Sequence, residues 1–290
     1  MAVRPNLAQI DIWQKGNTHP KDSAYMRYRF SHQTEAGNYD IWRINGMYDE
    51  TRPNRNEFTQ VRRVAIGEWE TAIRQSGKPD LMGGAIHGDE IMSNGALLID
   101  GFNTETNPVD TRYYRARKVE FRQVSTLYEV GTSLGNPLAT VTKRWEWFDG
   151  EFHLSQRTEW LAAITVDAGY QAMFPIERVQ YNDTGVEITN GAMREPLWPV
   201  INVGSAGHAT PDTNAGYIKI WGATNGYAGE VEILKGWDKP NRRSTIEDAA
   251  EYNKFRFDVC GSGYATTVGE VWDTKARYRV MKRVAGVGTV

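Results

Sequence analysis

One cysteine, Cys260, stands alone among 290 residues, so no disulfide forms within the chain and a bridge-stapled secreted scaffold is excluded. No stretch approaches the roughly 20 apolar residues of a membrane-spanning helix. The first residues, MAVRPNLAQIDIWQKG, hold no apolar run of signal-peptide length. No membrane partner is expected. Net charge is only −2, which argues against a nucleic-acid partner held by phosphate contacts. Lysine is scarce beside arginine, 11 against 23, and arginine is the better fork for carboxylate, sulfate and phosphate. Helix signals are scarce too. One short helix is expected, capped by Ser244 or Thr245 and running to residue 255, with Glu247 and Asp248 in its first turn.

What the chain has in quantity is strand pattern. Aromatic and β-branched residues alternate with polar ones at 24–30, 38–44, 111–130, 139–148, 151–166, 173–181, 186–190, 217–222, 229–234, 255–260, 267–272 and 276–284. Asp149-Gly150 between two such runs predicts a hairpin. Residues 59–77 read as two strands, because Gly67 sits mid-run and weakens a helix. Residues 1–23 read as polar and turn-rich, 50–57 as a loop and 205–216 as a surface loop. With 40% hydrophobic residues and this spacing, the expected fold is all-β. It is a single large antiparallel β-sandwich of jelly-roll type spanning 1–290, with one short helix.

The densest group of chemically able residues is LMGGAIHGDEIMSNGALLIDG, 81–101. It reads as strand, tight turn, strand. Period two puts Met82, Gly84 and Ile86 on a core face and Gly83, Ala85, His87 and Asp89 on the other, a nearly bare floor for a ligand. His87 is a candidate acid or base, since imidazole titrates near neutrality. In EFHLSQRTEW, alternation places Glu151, His153, Ser155, Arg157 and Glu159 on one face. Trp145 and Trp147 share a face of the preceding strand, and Tyr217, Lys219 and Trp221 share a face of YIKIWG. Aromatic rings beside a lysine suit a sugar platform, on which a ring stacks while the lysine meets an acid group.

Two resemblances follow from these residues. GGAIHGDE resembles the GxHGxE zinc motif of the carboxypeptidase and aspartoacylase families, with His87 and Glu90 in the ligand positions and His153 or His208 as a third ligand. That resemblance implies a zinc hydrolase on an α/β fold, whose helices this chain lacks. The whole-chain pattern resembles the jelly-roll polysaccharide lyases. Arg157-Thr158-Glu159, Ala85-Ile86-His87 and Tyr217-Ile218-Lys219 are similar to pieces of the alginate-lyase strands, without the closing Arg, the Gln and the rest of the tyrosine motif, and in a different order.

The lyase resemblance implies metal-independent β-elimination on an acidic, uronate-containing polysaccharide, with no cofactor. Such chemistry needs a cation to neutralise the uronate carboxylate and a His or Tyr to move the proton. The expected catalytic set is His87, His153, Arg157 and Tyr217. The expected substrate contacts are Arg122, Trp145, Trp147, Lys219, Asp89 and Glu90. The alternatives are a glycoside hydrolase using two carboxylates among Glu68, Glu70, Glu90 and Glu159, and a non-catalytic glycan-binding or virion module. The expected location is extracellular or virion-associated, with the targeting segment absent from this sequence. The chemistry requires that His87 and the row 153–157 open onto one trough.

Overall fold

The computed structural model describes every residue except 6–7, 16–23, 55–56, 68, 70, 105–112, 178–188, 194–199, 204–207, 214, 223–226, 249–251 and 283–290. The chain is almost wholly β, as expected, with large antiparallel sheets that a β-sandwich accommodates. A sixteen-stranded sheet runs, edge to edge, through Val200–Val203, Thr189–Met193, Tyr217–Gly222, Tyr227–Lys235, Val271–Lys282, Glu151–Trp160, Pro137–Phe148, Lys118–Tyr128, Glu90–Ile99, Tyr39–Asn54, Ala24–Glu35, Gln9–Gln14, Ala2–Pro5 and Tyr114–Arg115. Glu57–Ala65 and Phe102–Thr104 branch from it. A six-stranded sheet holds His208–Thr213, Arg243–Asp248, Tyr252–Asp258, Thr165–Glu177, Tyr264–Ala265 and Ala72–Gln75.

The large sheet folds over itself. Its corner is a two-residue parallel pairing, Tyr39 with Glu90 and Asp40 with Ile91, the one parallel contact among the described strands. Beyond the corner, rings of Ala24–Glu35 pack face to face on rings of the other half. Phe30 lies 4.9 Å from both Phe121 and Trp145, and Tyr28 lies 5.9 Å from Phe152. Trp69 ties this layer to the small sheet through Phe174 and Tyr278. Edge-to-face geometry suits these ring quadrupoles, and the rings make one contiguous core.

Local chemistry accounts for the elements. Asp149 (φ 49°) and Gly150 (φ 76°) both take positive φ, the two-residue turn that matches strand twist, and they join Pro137–Phe148 to Glu151–Trp160. The segment 59–77 forms two strands, as its pattern predicts. The helix expected over 244–255 is instead a pair of antiparallel strands, Arg243–Asp248 and Tyr252–Asp258. Ser244 caps nothing. Its hydroxyl donates to the Ala215 carbonyl, and Ile246, Phe255 and Phe257 are buried with the alternation of a sheet. The N-terminal region is not all turn, because Ala2–Pro5 and Gln9–Gln14 are strands with Ile10 and Ile12 fully buried. Strand also runs through most of the loop expected at 50–57 and through His208–Thr213. The only helix among the described residues is Gly84–His87, and none there is long and apolar enough to cross a membrane.

Candidate functional site

The turn at 82–90 is held by hydrogen bonds within its own backbone and to Asn38 and Glu90. Gly83, Gly84, Gly88 and Asp89 all have positive φ, which ends the expected strand and winds the chain into a single helical turn. Met82 and Gly84 are buried as expected, but Ile86 leaves the core face and stands 48% exposed. The turn is closed by Gly83 N–H to the Gly88 carbonyl and Gly88 N–H to the Gly84 carbonyl. Asn38 Oδ1 accepts the Asp89 N–H at 3.2 Å. Below the turn, the fully buried Glu90 carboxylate accepts the Gly84 N–H at 2.7 Å and receives Lys143 Nζ on both oxygens, with Ser125 donating as well. Burial pushes the Glu90 carboxyl up, but Lys143 and these hydrogen bonds outweigh it and hold the acid below its usual range. Glu90 is thus an internal post for the turn and does not meet substrate, contrary to expectation.

The rim residue Asp89 behaves oppositely. Desolvation, then the charge of Asp80, raises its carboxyl above the usual range. The turn therefore presents an acid that keeps its proton longer than a free aspartate, with a second carboxylate nearby. His87, half-buried, ends the helical turn.

Beside the corner lies a cleft of about 590 Å³ lined by Trp42, Met92, Gly95, Leu97 and Phe121, with Asn103 and Thr104 at its side. It opens where Tyr39–Asn54 and Glu90–Ile99 part after their two-residue pairing. Gln123 spans the gap there, accepting the Trp42 N–H at 2.9 Å. Gly95 keeps the cleft open, since a Cβ would crowd Met92 Sδ and the Phe121 ring. His32 stacks on Trp42 at 5.2 Å and contacts Asp40 at 2.6 Å. Sequence reasoning missed His32, Asp40 and Trp42. The legible signal was alternation in SHQTE and YDIWR, but the fold-over that brings them to a cleft is long-range.

The outward face of the large sheet gathers several expected residues. Cross-strand register sets Tyr217, Glu232, Arg277, His153, Glu146 and Glu120 in one row. Lys275, Ser155, Arg144 and Arg122 form the next row. Arg157, Glu159 and Lys219 share this face. Most charges are already paired. Arg144 lies 2.8 Å from Glu120 and 2.9 Å from Glu146, Arg122 pairs with Glu120, and Arg157 lies 3.5 Å from Glu159. Desolvation opposes ionisation of Glu120, but the hydrogen bonds from Arg144 and Arg122 prevail and its carboxyl falls to about 2. His153 Nε2 meets Glu151 at 3.0 Å, and Arg279 clasps the same carboxylate.

The single trough does not form. His87 sits by the Glu90–Leu127–Ala139–Trp160 end of the sheet, whereas His153 is seven residues from Trp160 on the same strand. At strand rise that is roughly 23 Å, and His87 belongs to the rim rather than the outward face. Trp145 and Trp147 point inward and are buried in the core, so they offer no sugar platform. Their indoles fill the space under Phe30. The zinc motif also dissolves, because Glu90 faces inward and is occupied by Lys143. No group of three or more ligand-type side chains among the described residues is placed for a metal. Glu68, Glu70 and the side chains of His208 and Trp221 lie outside the described residues.

No family model matches the chain, and no curated protein matches it in sequence. Among solved structures it is similar to the GH36 α-galactosidase AgaB of Geobacillus stearothermophilus, at 10% identity and a TM-score of 0.51, over 98% of this chain and 41% of that one. It is also similar to AgaA, a GH36 α-galactosidase of the same organism, at 7% identity and a TM-score of 0.50, over 94% of this chain and 41% of that one.

Identity this low is a likeness of fold. The chain spans about two fifths of each α-galactosidase, and nearly all of it is used in the match. A whole β architecture is shared, while the site residues rest on the geometry given above.

Proposed function

We propose that the chain is a carbohydrate-active β-sandwich that works in glycoside hydrolysis, with Asp89 as proton donor and Asp80 as its carboxylate partner at the corner of the large sheet. The observation that carries this reading is the placement of Asp89 on a hydrogen-bonded turn near Asp80, where its carboxyl is raised. Glycoside hydrolysis asks for two carboxyl groups, one of which keeps its proton, and Asp89, whose carboxyl is raised by desolvation and then by Asp80, suits that part. The cleft beside the corner, between Met92 and Asn103–Thr104, supports a place for a sugar ring. The likeness to α-galactosidases supports a sugar as the ligand.

Elimination has less support. Arg122 and Arg157 are engaged by Glu120 and Glu159. Tyr217 and His153 share a row but stand three strands apart, roughly 14 Å at ordinary strand spacing. The test is to incubate the chain with neutral and uronate-containing glycans, following new reducing ends and the ultraviolet absorbance of unsaturated uronate separately. Reducing ends alone, lost in Asp89→Asn, support hydrolysis. Unsaturated product, or full activity in Asp89→Asn, sinks it. The coverage of two fifths favours a second reading, a glycan-binding module of a longer enzyme. Saturable glycan binding without turnover would select that one.

A further inference from the structure

On the outward face of the large sheet, far from the corner, Ser155 stands directly across from Lys275 on one neighbouring strand and from Arg144 on the other. Cross-strand partners share a face and lie close. Two buried polar atoms border this spot with no hydrogen-bond partner, Arg144 Nε and His153 Nδ1. His153 is 8% exposed, and its other nitrogen is held by Glu151, so its orientation is set. Arg144 is likewise fixed, because its terminal nitrogen is shared by Glu120 and Glu146. Lys275 has no carboxylate partner and Ser155 Oγ no hydrogen bond among the described residues. Arg122, half exposed, continues the row beyond Arg144.

A buried unpaired N–H costs free energy, and a fold keeps one where a ligand or water completes it. Three of the four groups here are donors or cations: the Arg144 Nε–H, the Ser155 hydroxyl and the Lys275 ammonium. A metal ion finds no carboxylate to spare, since Glu120, Glu146 and Glu151 are each held by arginine. The chemistry that fits is an oxyanion, which accepts from every one of these donors at once.

We propose that Ser155, Lys275 and Arg144 form an oxyanion-binding subsite, beside His153, that takes a carboxylate, sulfate or phosphate group. It deepens the glycan reading only in naming the carrier: on a saccharide the group would be a uronate or a sulfate ester, and the substrate class would be an acidic glycan. The subsite itself stands on the geometry.

Calorimetric titration of the whole chain tests it, with inorganic sulfate, inorganic phosphate and a uronate oligosaccharide as separate probes. Saturable binding is expected, weakening with added sodium chloride. Lys275→Met and Ser155→Asp are expected to weaken it about tenfold or more. Both positions are on the surface, so unchanged denaturation midpoints would show that the fold is intact. Arg144→Lys keeps the charge but removes Nε, and is expected to weaken binding as well. Tighter binding of the oligosaccharide than of free sulfate and phosphate assigns the anion to a glycan; equal or weaker binding assigns it to a free inorganic ion. Absence of saturable binding to every probe overturns the subsite, as does parental affinity in both Lys275→Met and Ser155→Asp. Turnover of a neutral glycoside in the same Lys275→Met preparation reports on the Asp89 reading independently, because Lys275 takes no part in it.

Discussion

Lys143 Nζ lies 2.7 and 2.8 Å from the two carboxylate oxygens of Glu90, and both side chains are sealed from solvent. The pair joins the corner turn to the strands Lys118–Tyr128 and Pro137–Phe148, because the same carboxylate also holds Gly84 N–H and Ser125. Removing one member strands a charge in the core. Lys143→Met is expected to cost about 3–5 kcal/mol, measured by urea denaturation at neutral pH. Glu90→Gln is expected to cost a similar amount and also to lower turnover, since Gly84 loses its anchor. Glu90→Leu combined with Lys143→Met should cost much less than the sum of the single changes. Additive losses would show that the two side chains are not coupled.

Glu120 gives the pH dependence. Its folded carboxyl sits at about 2, below the 4.5 of an ordinary glutamate. A carboxyl lowered by folding adds stability that is complete above its unfolded value and is lost as pH falls through the folded one. The denaturation midpoint should therefore fall between roughly pH 5 and pH 2. Glu120→Gln should flatten that fall and leave Arg122 and Arg144 more free. A profile identical to the parent's would remove Glu120 from the account.

Asp89 carries the opposite sign. Its folded carboxyl is raised, so ionisation works against the fold, and stability declines as pH rises through the folded value. Asp89→Asn removes that penalty, and asparagine tolerates the left-handed backbone at φ 56°. The variant should be slightly more stable than the parent at neutral pH, equal to it in acid, and inactive on glycosides. Asp80→Asn removes the second carboxylate of the pair and should likewise abolish glycoside turnover. Steady-state assays and urea denaturation of both variants check this, and parental turnover in Asp80→Asn would remove Asp80 from the site.

What could be read from sequence followed from local chemistry. Asp149-Gly150 fixed its hairpin, and alternation in EFHLSQRTEW put Glu151, His153, Arg157 and Glu159 on one outward face. Alternation also grouped Trp145 with Trp147, but it does not say which face is the core, so a buried aromatic stack read as a platform. The 244–255 region carried helix caps, and packing of Ile246 and Phe255 between layers overrode them. GGAIHGDE reads as a strand entering a tight turn, but its spacing does not show that Glu90 is drawn inward, because the partner Lys143 is 53 residues away in sequence. The cleft beside Trp42 depends on where the large sheet folds over, which no local spacing encodes.

Two glycines separate backbone strain from close packing. Gly77 (φ +76°) has open space where a side chain would begin, whereas a Cβ on Gly88 (φ +75°) would overlap Asn38 Oδ1. Alanine meets the same backbone penalty at both sites, about 1 kcal/mol or slightly more. At Gly88 it must also displace Asn38, whose side-chain oxygen accepts the Asp89 N–H. Gly77→Ala should therefore lower stability by that small amount and leave glycoside turnover unchanged. Gly88→Ala should lower stability by about 2–4 kcal/mol and reduce kcat more than KM, because the acid is no longer held in place. Denaturation and steady-state kinetics on the pair decide it. Equal stability losses would mean that Asn38 yields freely, and parental kcat in Gly88→Ala would mean that the turn does not position the proton donor.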